Sequence, residues 1–595
     1  MKTEGNIGVR PRVIGIACIY LLLGTAGFFL AFCNLDGRLF WSDEAENAVL
    51  ARNIVKFGVP KLDDGVNHIS LHGDQFDARD GVWTWSPWLP EYVTAASFAV
   101  FGETTWAGRA PFAFIGWLTV AALAAAAWKI YRSHRITVAA MLLLGTSEVF
   151  LLHIRQCRYY SITVFAEILL LYGLYQILAM NRLTRTSSLG DGETTLTPAL
   201  SPGRGGIVGR LLVMANDGSG SKMSGCWLIL AGLLLQFYCN YTIAAANVPL
   251  LLVLAWNLFR QKKASVLPLL AILGILFLMA SPWLLFSEVW RQGSAEPHDP
   301  WTKTLRFYAV QFHFYFFPWC VVLLPAYGWL VKRFSTSSEH SRVPCGKRSD
   351  RADSVPGRSG DLEIGDIAGL ETCVTRSPAG LNFEWYLFLL PFLYIPVLLV
   401  MPGGYLRYLL PVLPAACLLV AVWLFRYVRW TALAAALLIL QCLSNVFSVG
   451  TDPFAKQIPL RSPLADFVFG ALLPYQDRFT DVLDFFQKEA KPGDEVVSSN
   501  PEFPLMFYTR LKIVNARLSP SPFQPLPEWI LPASVSDVFF FPPVPLPDSL
   551  KRYYDTITLT VHDSPRVDNM PEPGFYQSQT TRTMTEFVIY KRKGH

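Results

Sequence analysis

The sequence predicts a polytopic α-helical membrane protein that carries a small soluble α/β domain after its last span. Of the 595 residues, 52% are hydrophobic and only 16% are charged, whereas soluble domains carry about 25% charged residues. The apolar residues fall in blocks near or above the ~18 residues that a membrane-spanning helix needs. After residue 450 the pattern changes to an amphipathic helix and short β-rich segments, which indicates the soluble domain.

The first apolar block, residues 13–32, predicts a retained spanning helix. It is too long for the core of a signal peptide, and no small-residue cleavage site follows it. Lys2, Arg10 and Arg12 precede it, and positively charged flanks stay in the cytoplasm. The N-terminus is therefore expected inside, and Asp43 outside.

Basic flanks orient the later spans in the same way and give about eleven spans, within a range of about 11 to 13. Because the number is odd, the soluble domain at 451–595 is expected on the outer face. Two polar insertions, residues 184–225 and 334–382, are predicted to be disordered and cytoplasmic. The later spans are predicted near residues 108–130, 136–154, 162–180, 226–239, 242–259, 264–286, 307–331, 385–401, 408–425 and 432–449.

The outer segment 34–106 is predicted to have its own structure. Asp43 with Glu46 three residues on matches a capping box, and Gly58 and Pro60 would end the helix that it starts. A second helix, in WLPEYVTAASFAVFG, is too short to span and is expected to lie in the membrane interface. The tryptophans expected at headgroup level are Trp83, Trp85 and Trp88.

The soluble domain is predicted from local patterns. RFTDVLDFFQKEA has the periodicity of an amphipathic helix, and PLMFYTRL that of a short one. The predicted strands lie in KPGDEVVSSN, KIVNA, DTITLTV and EFVIYKR.

The composition excludes two kinds of function. The net charge of +6 reflects Lys and Arg at alternate helix ends, so nucleic acid is not an expected partner. Ten cysteines are present without a CxxC pair, which supports neither a zinc site nor a disulfide framework.

The acidic pair Asp43-Glu44 directly after the first span is the most informative polar feature. On its own it is explained by the dipole of the helix that it starts, which a carboxylate complements by about 0.3–1 kcal/mol. Further motifs give it another reading. In chain order they are Gly58–Pro60, SPW at 86–88, Phe101-Gly102, Arg109–Pro111, RQCRYYS at 155–161 and GGYLRYLLPVLPA at 403–415.

Together, the pair and these motifs resemble the membrane glycosyltransferases of the type-C fold. The branch that they resemble contains the protein O-mannosyltransferases and the bacterial aminoarabinose transferases. The resemblance covers residues 12–450 apart from the two insertions.

The resemblance implies an enzyme that moves a hexose or pentose from a polyprenyl-phosphate sugar to a hydroxyl or amine of a lipid, protein or glycan. Asp43 would be the general base, Glu44 would orient acceptor or donor, and the anomeric carbon would be inverted. The implied location is the bacterial cytoplasmic membrane, with the C-terminal domain in the periplasm.

The departing phosphate would need cations. Arg109, Arg158 and Arg407 lie at the outer ends of three predicted spans, where they could bind phosphate in bidentate fashion or only snorkel to the interface. Three further candidates for substrate contact are Tyr159, His313 and Tyr408. The tyrosines could instead be interface anchors, and the histidine a packing residue.

Two departures from the family pattern bear on substrate and metal. Ser86 precedes Pro87 where the aminoarabinose branch has lysine, which argues against transfer of aminoarabinose. Tyr160 stands where that branch has an acidic residue, and the sequence has no His/Asp cluster with metal-ligand spacing. No metal or other cofactor is therefore expected, although Glu148 and Asp80 are substitutes to consider.

Three alternatives remain open at this point. A transporter or flippase would show internal repeats and ionisable residues near the middle of the membrane; no repeat is present, but Glu148 and Glu167 lie within predicted spans. A scaffold would use the outer domain to bind partners. An oligosaccharide transferase of the same fold would need a metal and a lipid-linked glycan.

Overall fold

The structure of the protein is a computed structural model. It describes residues 11–190, 220–260, 267–292, 300–327, 378–400, 404–454, 456, 458–498, 502–516, 519, 522–532, 546–563, 570 and 580–594.

Helices make up most of the described chain. In chain order they are α1 (Pro11–Phe32), α2 (Ser42–Phe57), α3 (Asp74–Asp77), α4 (Leu89–Phe101), α5 (Thr105–Tyr131), α6 (His134–Gly145), α7 (Glu148–Ile154), α8 (Tyr160–Gly190), α9 (Gly220–Cys239), α10 (Tyr241–Ala246), α11 (Val248–Arg260), α12 (Leu267–Ser287), α13 (Val289–Gln292), α14 (Trp301–Gln311), α15 (Pro378–Leu398), α16 (Leu413–Tyr427), α17 (Thr431–Leu443), α18 (Val446–Gly450), α19 (Pro463–Leu472), α20 (Arg478–Glu489), α21 (Glu502–Tyr508) and α22 (Asp548–Lys551). A π-helical turn covers Phe312–Phe316, and 3₁₀ segments cover Trp319–Val322 and Leu406–Val412.

The chain is a polytopic membrane protein. Six helical segments of the described chain are long and apolar enough to cross a bilayer, and two bent pairs raise that number to eight if each counts as one span. The bends are 65° between α6 and α7 and 81° at the break before Trp319. Three other predicted spans coincide with shorter apolar helices, Met223–Cys239, Phe383–Leu398 and Thr431–Leu443. The described part of each predicted span is therefore mostly helical, and the exact number of spans stays a prediction.

The polar insertions at 184–225 and 334–382 fall largely outside the described residues. At their edges the prediction was wrong, because α8 continues to Gly190, α9 already begins at Gly220, and α15 begins at Pro378. Once an apolar stretch has formed a helix, each further residue that is fixed in the helix adds one backbone hydrogen bond. The helix can therefore extend beyond the apolar stretch.

Close backbone contact joins the central helices α8 and α9. A Cβ atom at Gly173 would lie 2.5 Å from the carbonyl oxygen of Gly225, and one at Gly232 would lie 2.7 Å from that of Ala166. Small residues allow membrane helices to pack this closely. At the other extreme, only 6% of the α1 spanning window is buried within the protein, as expected for a helix that faces lipid.

The outer segment between α1 and α5 differs from its prediction at two points. The N-cap of α2 is Trp41 and makes no side-chain cap, so Asp43 and Glu46 do not form a capping box. Trp83 is fully buried, in the hairpin of β1 (Ala78–Arg79) and β2 (Val82–Trp83), so it cannot sit among lipid headgroups. Both corrections have one cause, which is that the segment folds against the rest of the protein.

The C-terminal unit is a five-stranded mixed sheet with the order β4-β3-β5-β7-β6. The strands are β3 (Glu495–Ser498), β4 (Lys512–Asn515), β5 (Trp529–Leu531), β6 (Tyr554–His562) and β7 (Met584–Arg592). β3 runs parallel to β4 and β5, and β7 runs antiparallel to β5 and β6. The sequence missed β5, whose three residues are too few to show a period.

Helix α19 lies within the predicted soluble domain 451–595 but packs with the membrane helices. Phe467 and Ala471 of α19 are buried in the same apolar core as the membrane helices. Beyond them, α21 packs on α2, where Arg52 donates to the carbonyl oxygens of Met506 and Phe507 at 3.2 and 2.8 Å. The C-terminal unit therefore buttresses the helix that carries the acidic pair.

Candidate active site

Asp43 lies in the first turn of α2 and keeps 24% of its side chain exposed. Two guanidinium groups approach it from elsewhere in the chain. Arg158, in the loop before α8, places Nη2 3.6 Å from Oδ2 of Asp43. Arg407, in the 3₁₀ segment before α16, places Nη1 at the same distance from the same oxygen. Three segments that are distant in sequence thus bring one carboxylate and two cations together.

Arg158 is held mainly by α2. Its Nη1 donates to Oε1 of Glu46 at 2.9 Å and to the carbonyl oxygen of Asp43 at 3.2 Å. The distance from Nη2 to the Asp43 carboxylate exceeds an ordinary hydrogen bond, so that contact is an ion pair without one. Arg158 is 14% exposed, which leaves part of it open to a ligand beside Asp43.

Aromatic rings surround Arg407. Its guanidinium carbon lies 4.2 Å from the ring centre of Tyr405, 5.9 Å from that of Trp41 and 6.0 Å from that of Tyr408. Contacts of this kind stabilise a cation in a partly desolvated place. They also give the site an apolar wall on the side of Arg407.

Glu44, the second residue of the acidic pair, has a role other than the predicted substrate contact. It is fully buried, and its two carboxylate oxygens accept from Nε and Nη2 of Arg109 at 2.8 and 2.7 Å. Arg109 also donates to the carbonyl oxygens of Leu35, Arg38 and Leu39. Only 2% of Arg109 is exposed, so the pair fixes the start of α2 against α5 and is not placed to bind phosphate.

Two more buried carboxylates lie near Arg158. Burial raises the pKa of Glu46 to about 7, although Arg158 opposes the shift. Burial also raises the pKa of Glu91 to about 8. Glu91 accepts from the Ser86 hydroxyl at 3.2 Å, and its other oxygen has no hydrogen-bond partner among the described residues. The sequence predicted Glu46 only as part of a capping box, and no pattern in the sequence singled out Glu91.

The remaining predicted residues divide between the site and the core. Tyr159 and Tyr408 lie beside the two arginines, with their rings 5.7 Å from Arg158 and 6.0 Å from Arg407. His313 is fully buried, and its ring nitrogens bond to the carbonyl oxygen of Ser448 and the amide of Trp319. Those bonds account for His313 as a packing residue.

The carboxylates considered as metal ligands do not assemble. Glu148 pairs with Arg461 at 2.6 Å, and Asp80 is an exposed residue of the β1–β2 turn. Among the described residues, no group of three or more His, Cys, Asp or Glu side chains could hold a metal ion.

No protein-family model and no curated protein matches the chain. Solved structures of similar architecture include ArnT from Cupriavidus metallidurans in two states. The one bound to undecaprenyl phosphate aligns with 12% identity over 97% of this chain and 98% of its own, with a TM-score of 0.48. The apo state aligns with 12% identity over 97% of both chains, with a TM-score of 0.49.

Another solved structure is the oligosaccharyltransferase of Archaeoglobus fulgidus. Its apo form aligns with 12% identity over 84% of this chain and 65% of its own, with a TM-score of 0.44. The aminoarabinose transferases, to which ArnT belongs, are a group that the sequence motifs resemble.

Proposed function

We propose that this protein is an integral membrane glycosyltransferase that moves a monosaccharide from a polyprenyl-phosphate donor to an acceptor hydroxyl or amine on the outer face. The observation that carries the proposal is the convergence of Arg158 and Arg407 on the partly exposed Asp43, each at 3.6 Å. A carboxylate can take a proton, and two guanidinium groups beside it can bind phosphate. The predicted topology puts this site where lipid-linked sugars are available and nucleotide sugars are not.

The reaction is a single displacement. Asp43 accepts the proton of the acceptor group as that group attacks the anomeric carbon from the side opposite the phosphate. The bond between the anomeric carbon and the phosphate oxygen breaks, and its electron pair leaves with the polyprenyl phosphate. Arg158 and Arg407 stabilise the negative charge that the leaving phosphate gains, and the anomeric carbon is inverted.

The proposal includes transfer without a metal cofactor, because two cationic side chains already face the Asp43 carboxylate and would repel a divalent ion. We expect turnover by the purified protein to persist in excess EDTA. Complete inhibition that added metal reverses would contradict this part of the proposal, and would favour the oligosaccharide-transferase alternative.

Arg407→Gln is expected to lower kcat/KM for the lipid donor by about 10- to 100-fold, because a hydrogen bond to a charged group contributes about 1.5–3 kcal/mol. Initial rates over a donor concentration series would measure it. Arg135→Gln is a matched control, since Arg135 is an exposed arginine in the first turn of α6 and is not one of the residues assigned to the candidate site. An Arg407→Gln enzyme with the donor kinetics of the control would remove Arg407 from the phosphate site.

The residues that favoured a transporter have structural partners. Glu167 accepts from Gln236 at 2.8 Å and from Asn247 at 2.7 Å, which joins α8 to α9 and to the loop after α10. Glu148 pairs with Arg461. These contacts support helix packing rather than a transport path, so we do not propose transport.

The proposed function can be tested in cells by extracting lipids from a strain that lacks the protein. We expect a polyprenyl-phosphate monosaccharide to accumulate and one lipid, protein or glycan product to lose its sugar. Restoring wild-type protein should reverse both changes. Unchanged lipids and products would contradict the proposal.

A further inference from the structure

Arg158 lies between two carboxylates of the same helix. Asp43 and Glu46 are three residues apart on α2 and therefore project from the same side. Arg158 contacts both carboxylates, but at unequal distances. Its Nη1 lies 2.9 Å from Oε1 of Glu46, whereas its Nη2 lies 3.6 Å from Oδ2 of Asp43. Asp43 receives its one close bond from Arg158 at the backbone oxygen, not at the side chain.

The difference between these two distances affects the basicity of the Asp43 carboxylate. A guanidinium group can hold a carboxylate through two parallel hydrogen bonds. A carboxylate held in this way is a weaker base, since an adjacent arginine lowers its pKa by about 1–3 units. Without a competitor, Arg158 could close on Asp43 in this manner. Glu46 competes because it engages Nη1 from a site that is only 3% exposed.

We propose that Glu46 is a positioning residue that holds Arg158 away from the carboxylate of Asp43, and so keeps Asp43 available as the base. This inference rests on the proposed function, because it assigns Asp43 to that role. It gives Arg158 two separate tasks: Nη1 is anchored to α2, and Nη2 faces the space beside Asp43 where the donor phosphate would bind.

Among the residues that the structure describes, the charged groups that act on Glu46 are Arg158, Asp43, Asp77 and Glu91. Arg158 stabilises the ionised form of Glu46, while Asp43 and Asp77 oppose it, and burial raises its pKa to about 7. Glu46 is therefore ionised and holds Arg158 above this pH. As the pH falls through about 7, Glu46 becomes protonated and the hold on Arg158 weakens.

Glu46→Gln tests the inference. It keeps the size of the side chain and removes its charge, so Arg158 should close on Asp43. We expect kcat to fall roughly 10- to 100-fold, because Asp43 becomes a weaker base. We also expect the acid limb of the pH–kcat profile, near pH 7 in the wild type, to move to lower pH. Glu103→Gln is the matched control, because Glu103 pairs with Arg52 of the same helix and is 43% exposed.

The outcomes are separable. A Glu46→Gln enzyme with wild-type kcat and acid limb overturns the inference, and so does one that loses activity while its acid limb stays in place, since that pattern shows a purely structural role. If Glu46→Gln is not monodisperse in detergent, Glu46→Asp replaces it, and an acid limb that does not move to lower pH would then count against the inference. Wild-type protein that cannot use a lipid-linked donor would instead contradict the proposed function.

Discussion

Asp43→Asn should lower the rate of sugar transfer by about 10²–10⁴-fold, the usual contribution of a general base. Asparagine keeps the shape of the side chain and can still face Arg158 and Arg407, but it cannot accept the acceptor's proton. Initial rates with a polyprenyl-phosphate donor would measure the loss. The variant should remain folded, because the Asp43 side chain is 24% exposed and forms no close hydrogen bond to either arginine.

Asp36→Asn is the matched control for this experiment. Asp36 is an exposed carboxylate of the same outer segment, seven residues before Asp43, and its replacement should leave the rate unchanged. Activity of Asp43→Asn above about a tenth of the wild-type rate would remove the base assignment. It would also revive the scaffold alternative if the cellular phenotype persisted.

Arg109→Ala should destabilise the protein by about 3–5 kcal/mol, because it leaves the Glu44 charge buried without its partner. The three carbonyl oxygens that Arg109 satisfies would lose their donor as well. Unfolding of the protein in detergent, induced by denaturant or by heat, would measure this loss of stability. We also expect the start of α2 to be displaced in the variant. Activity should fall as a consequence, since Asp43 is the neighbour of Glu44.

An exposed ion pair provides the comparison for Arg109→Ala. Glu103→Ala removes the partner of Arg52 at a side chain that is 43% exposed, where such pairs contribute about 0–1 kcal/mol. If Arg109→Ala were as stable as Glu103→Ala, the buried pair would not be the anchor of α2, and Arg109 would become available again as a phosphate ligand.

The sequence predicted the helices of the membrane region well, because their signal is local. Each apolar block is a property of consecutive residues, and the described part of each is mostly helical, although two blocks are bent pairs and α9, α15 and α17 include apolar stretches shorter than a span. The C-terminal strands were also predicted from local patterns. The exception is β5, whose three residues are too few to show a pattern.

The roles within the candidate site were harder to predict, because they depend on packing between distant residues. Glu44 and Arg109 are 65 positions apart and form a buried ion pair, and nothing local distinguishes them from residues that contact substrate. Asp43 and Glu46 matched a capping box by spacing, yet the helix begins one residue before Asp43 and Glu46 bonds to Arg158. Trp83 was predicted to lie at the membrane interface, but it is fully buried in the fold.

The identity of the sugar donor is the most direct test of the proposed function. Purified wild-type protein in detergent should be given, in parallel, the polyprenyl-phosphate sugar that accumulates in the deletion strain and the nucleotide form of the same sugar. We predict transfer from the lipid-linked sugar, with inversion at the anomeric carbon, and none from the nucleotide sugar. Transfer from the nucleotide sugar, with the lipid-linked one ignored, would contradict both the proposed reaction and the predicted orientation of Asp43.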